Sequence, residues 1–232
     1  SKAGYFGSEC DGGYAQYTKV SYRQVHPVKS TLSDAELATF ACSYVTAENM
    51  LNRGAVTAGD TVLVTGASGG VGSALIQLAN RRGAKCVGLC SADKTDDVKA
   101  VGPLAVIDRN CSDLGSALRD AIGSESVDVV ADVVGGSLWP QLINALARGG
   151  RYTCAGAIAG PMVEFDLRTF YLRDLTFTGA TVPLPGVFED LVGYIERDEI
   201  RPLLAATYPL EDFHAAQQAF IDKRHVDNIV TK

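Results

Sequence analysis

The chain has 232 residues, 47% hydrophobic and 21% charged, with a formal net charge of −6. That composition suits a globular protein with a sizeable core. The acidic balance argues against nucleic acid as a partner, because phosphate backbones call for a basic face. The absence of any run of about 18 apolar residues argues against a membrane span.

The opening stretch, SKAGYFGSECDGGYAQY, lacks the basic-then-apolar pattern of a leader and reads like the middle of a protein. The cysteines are Cys10, Cys42, Cys86, Cys90, Cys111 and Cys154, with no C-x-x-C pair among them. Their scatter predicts reduced thiols, several on buried strands, in a reducing, cytoplasmic setting.

In chain order, strand-like pieces such as Tyr14-Ala15-Gln16-Tyr17-Thr18-Lys19-Val20 alternate with turns. Ser33-Asp34-Ala35-Glu36 then matches a capping box, opening a helix or helix pair that reaches about residue 52. Gly59-Asp60 is a turn, and Thr61-Val62-Leu63-Val64-Thr65 is a continuous apolar strand. Val71, Leu75, Leu78 and Ala79 fall at helical spacing within 71–82. Strands follow at 85–90, 104–108, 127–133, 151–155 and 175–179. Helices are predicted at 93–101, 114–122, 138–147 and 187–196. The tail breaks this rhythm, with a strand near Thr207, a helix over 211–223 and a last strand, Asn228-Ile229-Val230.

Alternating strands and helices with apolar strands predict a doubly wound α/β fold, a parallel sheet covered on both faces. The shorter segments before and after this unit are expected to pack together, since domain termini often lie close.

The turn Gly66-Ala67-Ser68-Gly69-Gly70-Val71-Gly72 directly follows an apolar strand and directly opens a helix. That is the setting of a dinucleotide phosphate turn, where bare amides and a helix N-terminus meet a pyrophosphate. In the G-x-G-x-x-G frame Ala67 takes the first position, followed by Gly69 and Gly72, and Gly70 is the extra small residue that admits phosphate. The other reading, an ordinary strand–helix connection, usually needs one glycine, whereas this turn has four. About twenty residues further on, an acid would bind the adenosine ribose hydroxyls. Cys90 and Ser91 stand there, followed by Asp93 and Lys94. Small neutral residues beside a cation favour a 2′-phosphate, hence NADP(H) over NAD(H). Asp93 is the contrary feature, and Lys94 also reads as a solvated helix-start lysine.

These residues resemble the medium-chain dehydrogenase/reductase family, in its alcohol dehydrogenase and quinone oxidoreductase branch. The resemblance runs through Cys42-Ser43-Tyr44-Val45-Thr46-Ala47, Gly59-Asp60-Thr61, the 66–72 turn, Val127-Asp128-Val129-Val130 with Asp132-Val133-Val134-Gly135-Gly136, and Gly149-Gly150-Arg151. It continues through Gly156, Leu175-Thr176-Phe177-Thr178-Gly179-Ala180 and His225-Val226-Asp227-Asn228-Ile229-Val230. It implies a Rossmann domain over 42–186 flanked by remnants of a GroES-like β-rich catalytic domain. Residues 1–41 would be the end of that domain and 187–232 the return to it.

The resemblance further places Thr46 by the nicotinamide, together with backbone near Val134-Gly135, Gly156 and Gly179-Ala180-Thr181. Gly-Gly and Gly-Ala are also common at ordinary turns. Arg109 would flank the adenine or simply lie on the surface. Cys42, four residues before Thr46, matches a zinc-ligand position of the zinc-dependent branch; without partners it reads better as a small apolar helix residue. Zinc is therefore left open. A homodimer is implied through the strand at 175–179, whose apolar edge, Phe177 included, would otherwise be a pairing liability. Where the family usually has glycine and lysine before the final Ile-Val, this chain has Asp227 and Asn228, read as a departure at a surface turn.

Tyr44 is a candidate proton donor to substrate, or a packing residue. Asp128 and Asp132 alternate along a strand and form a candidate carboxylate pair, with Asp132 placed as structural or near the cofactor. His26, His214 and His225 show no metal-ligand spacing, and neither a G-x-S-x-G elbow nor a P-loop occurs. The expected activity is NADP(H)-dependent hydride transfer to or from an alcohol/carbonyl or quinone/enone. The alternative is a catalytically incompetent dinucleotide-binding fragment or sensor.

Overall fold

The computed structural model describes residues 4–232. Six parallel strands form one sheet: β1 (Thr61–Val64), β2 (Lys85–Cys90), β3 (Ala105–Asp108), β4 (Val127–Asp132), β5 (Leu146–Cys154) and β6 (Thr176–Gly179). Their spatial order is β3-β2-β1-β4-β5-β6. This is the doubly wound Rossmann order, and its direction reverses between β1 and β4. The C-terminal ends of those two strands therefore border the crevice where such sheets bind ligands.

The strands are apolar throughout because both faces are covered. One face packs under α2 (Val45–Arg53), α3 (Gly70–Arg81) and α8 (Val187–Glu196), in a cluster that includes Met50, Leu75, Leu78 and Leu191. The other packs under α5 (Leu114–Ile122) and α6 (Trp139–Asn144), around Leu118, Trp139 and Leu142. Each fully buried aliphatic side chain contributes about 1.5–3 kcal/mol. Local signals set the ends. Asp113 accepts the Ser116 amide at 2.6 Å to start α5, and Gly123 at φ +74 stops it. The Ser33–Glu36 capping box forms as expected and opens α1 (Asp34–Ala38). A π-helical turn, Phe40–Tyr44, joins α1 to α2.

Three expectations change. The predicted helix at 138–147 ends at Asn144, because the Ala145 carbonyl accepts the Val127 amide at 2.8 Å and Leu146 pairs with Val127. A helix, α7 (Leu167–Leu172), occupies a stretch where none was predicted. Tyr14 to Val20 forms no strand: no sheet edge among the described residues pairs with it, and Tyr17 is 91% exposed. Tyr14 instead packs at a tilt against Phe213, ring centroids 4.4 Å apart, a contact between the two flanking segments. A two-stranded parallel sheet, β7 (Leu204–Tyr208) and β8 (Asn228–Thr231), brackets α9 (Phe213–Asp222). The six cysteines are free thiols. No helix among the described residues is long and apolar enough to cross a membrane.

Candidate cofactor cleft

The glycines of the turn after β1 serve different ends. Gly66 adopts φ +59, and a Cβ on it would approach Val133 Cγ2 at 3.1 Å and Val134 Cγ2 at 3.3 Å. It thus lets the turns after β1 and β4 touch. The Ala67 amide, in a buried residue, donates to the Leu89 carbonyl at 3.0 Å. A Cβ on Gly72 would lie 2.2 Å from the Gly66 carbonyl oxygen, so this glycine allows α3 to start tightly against β1.

Gly70 departs from its expected role. A Cβ there would lie 2.5 Å from both Asn228 Oδ1 and Ser43 Oγ, so the room it leaves is filled by protein rather than kept for phosphate. Gly69 is the open position: it is exposed, and a Cβ on it would meet only the Gly66 carbonyl, at 3.5 Å. Ser68 and Val71 are half-buried on either side of it. The turn and the N-terminus of α3 make a cradle of the kind that could hold a pyrophosphate, open at Gly69.

Across the crevice, β4 ends at Asp132, whose side chain is fully buried. Its carboxylate accepts from Thr65 Oγ1 at 2.5 Å, Tyr152 Oη at 2.6 Å, the Val134 amide at 2.8 Å and the Gly135 amide at 3.1 Å. Burial and the Asp132 carboxylate together drive the Tyr152 hydroxyl pKa far up. Gly135 and Gly136 follow at φ +62 and +67 and pack against Ala157 to Gly160. A Cβ on Gly156 would lie 2.8 Å from the Val133 carbonyl oxygen. The stretches expected beside the nicotinamide, Val134-Gly135 and Gly156, are therefore interlocked. Asp128 is not Asp132's partner. Four residues apart on a strand span about 13 Å, and Asp128 accepts the Thr61 amide at the opposite end of the sheet.

At the end of β2, where adenosine is expected, Cys90 is buried, Ser91 half-buried and Arg109 exposed. The Arg109 amide donates to the Cys90 carbonyl at 2.7 Å, which holds Arg109 beside the end of β2. The Ser91 hydroxyl beside Asp93 holds that carboxyl below its ordinary range. Lys94 is placed differently from expectation. Its ammonium donates to the carbonyls of Lys223 at 2.7 Å and His225 at 2.6 Å, bracing the segment that leads from α9 to β8.

That segment ends on the phosphate turn. Asp227, read from sequence as part of a surface turn, is 3% exposed at φ +72, and its amide donates to the Ser68 carbonyl at 2.8 Å. Ser73 donates its hydroxyl to the Asp227 carboxylate, and Ser43 donates to Asn228 Oδ1 at 2.9 Å. Burial pushes the Asp227 carboxyl pKa up. The change from glycine and lysine therefore falls inside the structure, where a left-handed backbone explains the family's glycine.

Thr46 lies half-buried on α2, Cys42 exposed on the π-helical turn, and Gly179 and Thr181 exposed around the end of β6. Tyr44 is not presented to a substrate. It is fully buried against Phe40, its hydroxyl donates to the Arg201 carbonyl at 3.1 Å, and burial drives its pKa up. Among the described residues no three His, Cys, Asp or Glu side chains converge to hold a metal. Cys42 therefore has no co-ligands among the described residues. Sequence reasoning missed Tyr152 and the Ser43–Asn228 and Ser73–Asp227 contacts. The usable signal was positional: Thr65 and Asp132 both stand at the C-terminal ends of apolar strands that are neighbours in the sheet.

Residues 70–197 match the family described as zinc-binding dehydrogenase. The chain belongs to the medium-chain dehydrogenase/reductase family. It is 30% identical to acryloyl-coenzyme A reductase of Metallosphaera sedula, over 99% of this chain and 68% of that protein. A crystal structure of an alcohol dehydrogenase candidate from Sinorhizobium meliloti 1021 superposes with a TM-score of 0.94 at 47% identity, covering 98% of this chain and 64% of that one. A 2-octenoyl-CoA carboxylase reductase in complex with NADP and 2-octenoyl-CoA gives 0.90 at 26% identity, covering 97% of this chain and 56% of that one. The chain thus spans roughly two thirds or less of the length of these relatives. They are oxidoreductases, and the fold and family of this chain are theirs.

Proposed function

We propose that the chain is the cofactor-binding part of an NADP(H)-dependent oxidoreductase that moves hydride between nicotinamide and an alcohol/carbonyl or quinone/enone substrate. The observation that carries this reading is the open cradle at Gly69, at the reversal of strand order, facing the glycine-lined ends of β4, β5 and β6. When bound, the nicotinamide supplies the hydride at C4. The chain's residues hold and orient it: the amides of Ser68, Gly70 and Val71 at the pyrophosphate, backbone near Val134-Gly135, Gly156 and Gly179-Thr181 at the ring, and Thr46 beside it, while the Gly69 amide donates to the Gly66 carbonyl at 2.9 Å and shapes the turn.

The NADP(H) preference rests on neutral Cys90 and Ser91 with Arg109 at the end of β2; Lys94, tied to two carbonyls, supports that segment from behind. The complex of a relative with NADP and an enoyl-CoA, and the likeness to acryloyl-coenzyme A reductase, favour an activated alkene among the substrates. We also propose a homodimer through β6, which ends the sheet. Phe177 itself turns inward onto Trp139 and Phe170, so the free edge of β6 is its backbone. Size-exclusion chromatography showing only monomer overturns that proposal.

NADPH oxidation is to be followed with enoyl thioesters, enones, quinones and aldehydes, alongside the affinities for NADPH and NADH. Turnover with one of these classes and tighter NADPH are expected. Dinucleotide binding without turnover on any of them would favour the binding-module alternative. Ser91→Asp places an acid where the 2′-phosphate would sit and should shift the NADPH:NADH affinity ratio at least about tenfold towards NADH, or about 1.4 kcal/mol. An unmoved ratio would place the 2′-phosphate elsewhere.

A further inference from the structure

Asp132 is a buried carboxylate held by hydrogen-bond donors rather than by a cation, so the cost of taking its charge out of water is offset by those donors alone. Its donors come from the ends of three different strands. Thr65 follows β1, Val134 and Gly135 follow β4, and Tyr152 belongs to β5. Its backbone carbonyl accepts the Ala155 amide at 3.1 Å, which ties in the start of the turn after β5. Thr65 Oγ1 also accepts the Val133 amide at 3.0 Å. The turn so anchored contains two consecutive left-handed glycines, Gly135 and Gly136, a backbone with little conformational preference of its own.

We propose that Asp132 is a positioning residue for the nicotinamide end of the cleft: with Thr65 and Tyr152 it sets where the backbone around Val134-Gly135 and Gly156 meets the ring. This rests on the cofactor reading above. Asp132 touches no cofactor in this arrangement and acts through the amides it holds. A small displacement of such a positioned backbone is enough to cost affinity and rate.

The test compares Asp132→Asn and Tyr152→Phe with the parent protein, titrated with NADPH and with adenosine 2′,5′-bisphosphate, which lacks the nicotinamide half. Thermal unfolding is measured on each. NADPH should bind about tenfold more weakly to Asp132→Asn and about threefold more weakly to Tyr152→Phe, with the bisphosphate unchanged in both. A merely structural residue would lower the melting temperature and leave the ratio of the two affinities alone. That result overturns the inference, as does equal weakening of both ligands. Should Asp132→Asn not fold, Tyr152→Phe, which removes one donor and keeps the carboxylate, decides by the same ratio. A parent protein that binds neither NADPH nor NADH overturns the cofactor reading and this inference with it. A parent that binds, with variants of unchanged ratio, overturns the inference alone.

Discussion

After β1 the backbone turns on glycine; the amides of Ala67 and Gly69 donate to the Leu89 and Gly66 carbonyls, and what the turn offers a ligand is the amides of Ser68, Gly70 and Val71 around the open face of Gly69. After β4 the backbone also turns on glycines, Gly135 and Gly136, but a carboxylate takes up the amides of Val134 and Gly135. One wall of the crevice leaves part of its donors open to a ligand, while the other fixes those of Val134 and Gly135 internally and presents a set shape. The two walls touch where Gly66 meets Val133 and Val134. The contrast suits an anionic pyrophosphate on one side and a flat, carboxamide-bearing ring on the other. It also separates substitutions that should damage folding from those that should damage binding.

The largest loss is expected at Asp132. Asp132→Ala leaves Thr65, Tyr152 and two amides facing a dry cavity without an acceptor, and each stranded donor costs about 1–3 kcal/mol. Allowing for relaxation, denaturant unfolding should show about 4 kcal/mol lost. A loss below about 1 kcal/mol would mean that the network is wet or replaceable. Gly72→Ala comes next. Its methyl would have to displace the Gly66 carbonyl, a backbone atom, so about 3 kcal/mol of stability should be lost along with the turn's geometry.

These two sites were unequally legible in the sequence. Gly72 belongs to a local pattern: strand, glycine-rich turn and helix within a dozen residues, where spacing alone carries the argument. Asp132 draws its side-chain partners from 67 residues before it and 20 after it, and no periodicity links such positions. The sheet strands and the helices α3, α5 and α8 were readable because each buries its pattern inside this chain. Tyr14 to Val20 alternates as well, yet pairs with no strand among the described residues, so the same signal gave no strand. Asp227 was misjudged for a related reason. Its burial comes from Ser68 and Ser73, more than 150 residues away, and nothing beside it in sequence announces that contact.

Gly70→Ala tests whether that distant segment is adaptable. The atoms a methyl would meet, Asn228 Oδ1 and Ser43 Oγ, are side-chain ends that can swing aside. A loss of about 1 kcal/mol is expected, smaller than for Gly72 because no backbone has to move. Pairing it with Ser43→Ala, which clears one of the two obstructing atoms, should recover part of that loss. Strict additivity of the two changes would mean that they do not share the contact.

Gly69→Ala should change stability least and is the sharpest test of the contrast between the walls. Its backbone is extended, at φ −97 and ψ 169, so alanine fits without strain, and its nearest obstacle lies at an ordinary contact distance. Alanine caps a helix less well than glycine, by a few tenths of a kcal/mol or more. Stiffening the unfolded chain returns about 0.4–1 kcal/mol, so the net change should stay within about 0.5 kcal/mol. The methyl would nevertheless project from the exposed side of the turn, where a pyrophosphate must come against bare backbone. Dinucleotide affinity should therefore fall about tenfold in a protein that unfolds like its parent, whereas Gly72→Ala should lose both properties together. If Gly69→Ala binds NADPH as tightly as the parent, the open face of this turn is not where phosphate sits, and the division between a binding wall and a fixed wall fails at the residue on which it depends most.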